Sequence, residues 1–444
     1  MLRAVSAEDA YANLVLPKEL AARGLTGRDA GFATELCNGT LRWTGTLDAV
    51  LAHVSSRPLS EIDDAVRDAL RLGAYQLLLT RVPAHAAVAT TVDLVRRTVG
   101  HRVVGFTNAV LRKVAERDLD GWLEALAPDD PVAALALRHA HPEWVVRAFR
   151  DALGGDLDEV AAALAADNAA PRVHLAVRPG QADPDQVAHQ IGGTRGRWSR
   201  YAVYSPGGAV ADLPVVRAGQ ASVQDEGSQL VTLAFQAAAL DGPDTRWLDL
   251  CAGPGGKAAL LGALAVAAKA QVTAVEVAAH RAKLVARATH GLPVTVVHTD
   301  GRTVGGHPAL PEGSFDRVLV DAPCTGLGAL RRRPEARWRR TPDDLATLTT
   351  LQGELLDAAL RAVRPGGVVG YVTCSPHPAE TTAVVSARVQ RGREGDRDLP
   401  ACELLDARRG FPTGMPALGE GPTVQLWPHR HGTDAMFLAV LRRR

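Results

Sequence analysis

The chain has 444 residues, of which 46% are hydrophobic, and a formal net charge of +1. At roughly 100–200 residues per domain this length predicts two or three domains, and the near-neutral charge excludes a protein that coats nucleic acid through its overall field. No apolar run approaches the ~20 residues of a membrane helix, and the opening MLRAVSAEDAYANLVL has no basic stretch followed by an apolar core, so a cytoplasmic protein without a membrane partner is expected.

From about residue 5 to 145, apolar positions recur at three and four, as in AVRDALRLGAYQLLL (65–79), which predicts an all-α bundle over 1–145. The chain then changes character. PRVHLAVRP reads as a short strand, and PGGAV, LPVV and ASVQ are short pieces divided by Gly and Pro, so 146–230 is expected as a small α+β connector. After Trp247 the pattern becomes strand, loop, helix, repeated through RWLDL, QVTAVEV, VTVVH, FDRVLVDAP and VVGYVT. That order predicts a mostly parallel, doubly wound, Rossmann-like α/β domain over 231–444.

The first strand of that domain runs into Cys251, Ala252, Gly253, Pro254, Gly255, Gly256 and Lys257, and a helix follows at once. Glycines there let backbone approach a ligand, and the helix N-terminus favours negative charge. Glu276 closes the second strand, where an acid in this fold accepts hydrogen bonds from ribose hydroxyls. Asp300 follows the third strand, where it can meet an adenine amino group; an Asp before Gly is also a common turn former. Five cysteines, at 37, 251, 324, 374 and 402, give neither a CxxC pair nor a Cys/His ligand spacing, so no metal and no disulfide frame is expected.

Two of those cysteines stand at the carboxyl ends of the fourth and fifth strands, in VLVDAPCTG and VTCSPHPAE, which is where open α/β sheets bind ligands. Carbon-5 of cytosine is a poor nucleophile. A thiolate added to carbon-6 turns the ring into an enamine, and a second group must later take the carbon-5 proton so that the thiol can leave. Cys324 and Cys374 on adjacent loops supply both needs, and Asp321 can bond the base's exocyclic amine or ring nitrogen.

These segments, CAGPGGK, DAPCTGLG, RRRPEARW, TCSPHPAE and the closing AMFLAVLRR, resemble in order and spacing the Nol1/Nop2/Sun family of RNA 5-methylcytosine methyltransferases, and within it the bacterial 16S rRNA members of the Sun (Fmu) type. The resemblance covers about residues 220–444. It implies S-adenosyl-L-methionine as methyl donor, Cys374 as nucleophile, Cys324 as the cysteine that assists product release, and residues 251–257, Glu276, Asp300 and Asp321 as cofactor contacts. Gly253 stands where Ala is usual, Glu276 where Asp is usual, and Thr381 where Asn often follows; none of these removes a catalytic group. RDAGFATELCNGTLRW, LRLGAYQLLL and FTNAVLRKV resemble the helical RNA-binding domain of NusB, and this pairing implies 16S rRNA or the assembling small ribosomal subunit as partner. No oligomeric signal is present, and a monomer is expected.

Residues 331–340, RRRPEARWRR, hold six arginines and one tryptophan and are expected to hold phosphates beside a flipped base, with Trp338 stacking; Arg442 to Arg444 are expected as a polar end. A non-catalytic NusB-like RNA-binding factor is the rival from another class, and intact Cys324 and Cys374 speak against it. An amine methyltransferase would carry Asn/Asp-Pro-Pro-aromatic where DAPC stands. A tRNA-directed enzyme of the same chemistry stays open.

Overall fold

The computed structural model describes residues 1–8, 10–208, 210–396 and 399–444; Ala209, within the PGGAV piece, lies outside them. The chain divides into two compact units, Met1–Ala170 with Leu330–Arg340, and Pro171–Ala329 with Thr341–Arg444.

The first unit is helical. Its longest helix, Gly27–Val54, buries Leu47, Val50, Leu51 and Val54, whose spacing of three and four puts them on one stripe. They share a core with Val66, Leu70 and Tyr75 of the helix Asp64–Leu79 and with Val110, Leu111 and Val114 of the helix Val104–Val114. Asp63, Asp118, Asp130 and Asp156 each cap a helix by accepting backbone N–H bonds, which satisfies donors that a helix start leaves orphaned. Helices continue beyond 145. Glu143–Ala152 and Leu157–Asn168 bury Val146, Phe149, Val160 and Leu164 and belong to this unit, which ends at Ala170 rather than at the expected 145.

The arginine-rich segment differs from expectation. It belongs to the helical unit, where Arg337 is fully buried and donates to the backbone oxygens of Arg42 (3.1 Å) and Ala140 (3.0 Å) and to Asn168 Oδ1 (2.9 Å). Ala140 ends the helix Pro131–His139 in a left-handed conformation, so the guanidinium meets a carbonyl at a helix terminus that has no partner within the helix. Arg339 donates to Val5 O (3.3 Å) and Ala10 O and stacks on Tyr11. Trp338 lies so close to Gly45 that an added Cβ would sit 2.3 Å from its ring. A run of like charges does not reveal that its members alternate between solvent and carbonyl-lined interior. Arg337 and Arg339 are structural ties, and no phosphate-holding role is carried forward for them.

The second unit holds two sheets. The smaller contains β1 (His174–Val177), β2 (Thr194–Arg195), β3 (Ala202–Tyr204) and β4 (Ala221–Val223) in the order β2-β3-β1-β4, all antiparallel. The larger contains β5 (Arg246–Asp249), β6 (Gln271–Val275), β7 (Val294–Val297), β8 (Phe315–Asp321), β9 (Val363–Thr373), β10 (Cys402–Leu405), β11 (Val424–Gln425) and β12 (Phe437–Arg443). Its order is β10-β12-β9-β8-β5-β6-β7, with β11 against β12. The five strands from β7 to β9 are parallel, as expected.

Alternation along β8 shows why both faces are covered. Val318 and Val320 join the core formed with Leu355, Leu356 and Ala359 of the helix Asp343–Ala362. Leu319 joins the opposite core, with Phe235 of the helix Glu226–Ala237 and Leu261 of the helix Gly256–Ala268, because successive strand side chains point to opposite faces. Gly370 in β9 allows the approach of Phe235, whose ring would lie 2.4 Å from an added Cβ. β12 pairs antiparallel with β9 and β10, and its terminal arginines are not a loose polar end. Arg442 pairs with Glu403, Arg443 donates to Val363 O (2.6 Å), and Arg444 pairs with Glu403 (2.9 Å).

Candidate active site

The parallel register sets Asp321 opposite Val372, so the loops leaving β8 and β9 start side by side and bring together the two cysteines singled out from the sequence. Cys324 Sγ and Cys374 Sγ are 3.5 Å apart. The Cys324 thiol is held well above its usual range, first by its hydrogen bond with Cys374, then by burial and by the charges of Cys374 and Glu380. A sulfur contact of this kind disfavours two thiolates side by side, because two adjacent negative charges repel in a poorly hydrated site.

What fixes the two loops is a glutamate that the sequence reading passed over. Glu380 is fully buried, accepts from Thr325 N (2.8 Å) and Gln352 Nε2 (3.1 Å), and also accepts from Thr325 Oγ1. Gln352 donates to Pro323 O (2.9 Å), Thr325 Oγ1 lies 3.2 Å from Ser375 Oγ, and Gly328 N–H donates to Cys374 O (2.8 Å). Each cysteine is therefore flanked by a residue anchored to this network. Thr381 Oγ1 donates to His377 O (3.0 Å), so the departure at 381 keeps a local hydrogen bond.

Asp321 accepts from Lys257 Nζ at 2.8 Å. Burial would lower the lysine's pKa, but the charge of Asp321 and its hydrogen bond, with Cys374 and Asp249 adding, leave it raised. Asp249, at the end of β5, is fully buried and pushed up to about 7, by burial first and then by the like charge of Asp321. Its Oδ2 has no hydrogen-bond partner among the described residues. Burial and surrounding acids also hold the Cys251 thiol well above its usual range. The loop then turns through Gly255 at φ 114°, a conformation that favours glycine. A Cβ there would lie 2.8 Å from Ala288 Cβ.

Glu276 is 4% exposed. Its Oε2 accepts from Gly253 N (3.0 Å), its Oε1 accepts from Ala278 N (2.9 Å), and Arg281 lies 3.3 Å away while donating to Gly253 O (2.7 Å). An added Cβ on Gly253 would sit 2.1 Å from Glu276 Oε2 and 2.7 Å from Arg281 Nε. The two sequence departures at 253 and 276 are thus one geometric fact, since the longer acid occupies the volume that a methyl group at 253 would need. Asp300 stands apart from this group. Its carboxylate caps its own turn through Arg302 N (2.9 Å) and pairs with the Arg302 guanidinium, and that hydrogen bond leads the effects lowering its pKa.

Residues 237–442 match the family described as 16S rRNA methyltransferase RsmB/F, and residues 1–116 match the NusB family. Ribosomal RNA small subunit methyltransferase B of Pseudomonas syringae pv. tomato is 35% identical over 90% of this chain and 86% of its own. The chain belongs to the RsmB/F family. A relative from Mycobacterium tuberculosis strain H37Rv, Rv1407, is 56% identical over 100% of this chain and 94% of its own. The solved structure of PH0851 has a TM-score of 0.77 at 22% identity, over 96% of this chain and 93% of its own, and speaks for the fold.

RsmB/F proteins are S-adenosyl-L-methionine-dependent methyltransferases, and the residues here suit that donor. The buried, unpartnered Asp249 Oδ2 can accept from a cationic ammonium group, and Glu276 retains acceptor capacity beside the glycine turn. Among the described residues no helix is long and apolar enough to cross a membrane, and no group of three or more His, Cys, Asp or Glu could hold a metal.

The sequence reading did not single out Asp249, Arg281, Gln352 or Glu380. Asp249 and Glu380 each carried one available signal, an acid within an apolar or proline-bounded motif that has to be buried if the neighbouring strand is buried.

Proposed function

We propose that this chain transfers a methyl group from S-adenosyl-L-methionine to carbon-5 of a cytosine in 16S rRNA through a covalent adduct on Cys374. The observation that carries the reading is the 3.5 Å pairing of Cys324 and Cys374 at the ends of adjacent parallel strands. The donor supplies an electrophilic methyl group.

Cys374, as thiolate, adds to carbon-6, and the ring's π pair becomes nucleophilic at carbon-5. Asp321, held by Lys257, accepts from the exocyclic amine and orients the base. Once the sulfur of Cys374 is bonded to carbon, its hydrogen bond and charge no longer raise the Cys324 thiol, and only burial and Glu380 still do, so Cys324 gives up its proton more readily and acts as base. With carbon-5 methylated, Cys324 takes the carbon-5 proton, the 5,6 double bond re-forms, and the carbon–sulfur bond breaks to return the Cys374 thiolate. One proton is released per turnover.

Residues 251–257, Glu276 and Asp300 are assigned to the donor, Cys324 and Cys374 to the reacting base, and the helical part, expected over 1–145, to rRNA binding. The family description and the name of the Pseudomonas relative support 16S rRNA as substrate. Bisulfite sequencing of 16S rRNA and tRNA from cells with and without the gene tests this directly. Loss of one protected cytosine in 16S rRNA is expected; loss only in tRNA overturns the substrate, and no loss overturns the reaction.

A further inference from the structure

The second unit carries a basic, aromatic hairpin that neither the sequence reading nor the catalytic geometry uses. Between β2 and the end of β3 the chain reads TRGRWSRYAVY, with Arg195, Arg197 and Arg200 and no acid. The Arg197 guanidinium lies 4.5 Å from the Trp198 ring and that of Arg200 lies 5.0 Å from the Tyr201 ring, while Arg172 lies 4.9 Å from the Tyr204 ring. Three such pairs within residues 172–204 exceed the roughly one per 70–80 residues of proteins at large. Arg197 and Arg200 are exposed, whereas Trp198 and Tyr201 are partly buried and pack on the second core of the large sheet. A planar cation therefore overlies each of these two anchored rings.

The hairpin is held rigidly. Buried Glu226 accepts from Trp198 N and Ser199 N (2.7 Å each) and from Tyr204 Oη, and Ser199 Oγ donates to Gln229 Oε1 (2.8 Å). It is also linked to the cysteine loops. Trp198 Nε1 donates to His431 O (3.0 Å); four residues on, Ala435 N donates to Gly328 O (2.8 Å), and Gly328 N donates to Cys374 O (2.8 Å).

We propose that the hairpin Thr194–Tyr204 binds the single-stranded RNA flanking the reacting base, with Arg197 and Arg200 contacting phosphates and offering their planes to stacked bases. Charge decides the class of partner, since the exposed groups are cations without acids on the same hairpin. Flat guanidiniums and rings are also the surfaces on which unpaired bases stack. The proposal rests on the rRNA reading above.

The test is binding of a fluorescent single-stranded 16S rRNA fragment across a salt series, with the full chain and its R197A/R200A and R197K/R200K variants. Loss of two phosphate contacts lowers the slope of log K against log salt by about 1.4, at ~0.7 per contact on single strands, and weakens binding about tenfold or more. The lysine pair keeps the slope but still loses affinity, because lysine has charge without a plane. An alanine pair that melts and binds S-adenosylhomocysteine like wild type, yet keeps the wild-type affinity and slope, overturns the proposal. Ultraviolet crosslinking of unaltered protein gives an answer that does not depend on the variants folding: crosslinks at Trp198 or Tyr201 support the proposal, and crosslinks confined elsewhere overturn it. If wild type binds and methylates no rRNA, the reading beneath the proposal fails instead.

Discussion

Replacing Gly253 by alanine should damage donor binding through Glu276 rather than through the loop backbone. The added Cβ would meet Glu276 Oε2 at 2.1 Å and the Arg281 guanidinium at 2.7 Å and 2.8 Å. Ordinary contact begins near 3.4 Å, so the carboxylate must retreat by more than an ångström. That movement breaks its 3.0 Å bond from Gly253 N, and Glu276 is too buried to reach solvent instead. Overpacking costs about 1–3 kcal/mol, and a hydrogen bond to a charged group contributes about 1.5–3 kcal/mol. The overpacking falls on folding stability; the hydrogen-bond loss, at ~1.4 kcal/mol per decade, should raise the dissociation constant of S-adenosylhomocysteine roughly 10- to 100-fold. Titration calorimetry measures this without turnover. E276D removes the methylene that creates the clash, so G253A/E276D should recover most of the loss, with a coupling of about 0.5–3 kcal/mol. A G253A protein that binds like wild type, or a double variant whose loss equals the sum of the singles, would refute the argument.

Cys374→Ala should abolish both turnover and any denaturant-resistant protein–RNA band, whereas Cys324→Ala should accumulate that band because addition proceeds and release stalls; the reverse pattern would exchange the two roles. Asp249 has a folded pKa of about 7 against an ordinary 3.8, so between these values the folded state holds a proton that the unfolded state has lost, and stability falls as pH rises through this window. Asp249→Asn should remove that loss, and its unfolding free energy relative to wild type, read from urea melts, should climb from pH 4 to pH 7.5 by an amount on the order of 2–4 kcal/mol; a constant difference would show that the carboxyl does not titrate there. Arg337→Ala should cost about 2–5 kcal/mol by leaving several buried acceptors unpaired, read as a lower midpoint in urea, and an unchanged midpoint would return the segment to a solvated face.

The parallel strands were legible because each motif sits where a strand hands over to a loop, and the paired cysteines follow from Asp321 and Val372 sharing a register position. The antiparallel edge was not, although FLAVLRR is a plain apolar run. Its pairing with β9 joins residues far apart in sequence, and periodicity reports only local neighbours. Glu380 stayed hidden for a related reason. Its role comes from the β8 loop and from Gln352, neither of which can be inferred from the motif that contains it. The arginine run misled because composition counts charges without direction, and Arg337 points at a helix terminus.

The placement of Leu330–Arg340 within the helical unit bears on how such a chain can be cut or inherited. No single peptide bond separates the two units. A chain started at Pro171 would carry Arg337, fully buried in the intact protein, without its acceptors at Arg42, Ala140 and Asn168, and a helical piece ending at Ala170 would lack the guanidinium that these residues accept from. Exchange of the helical unit between relatives therefore requires its eleven-residue insert to travel with it, although some 160 residues of the other unit lie between them in the gene.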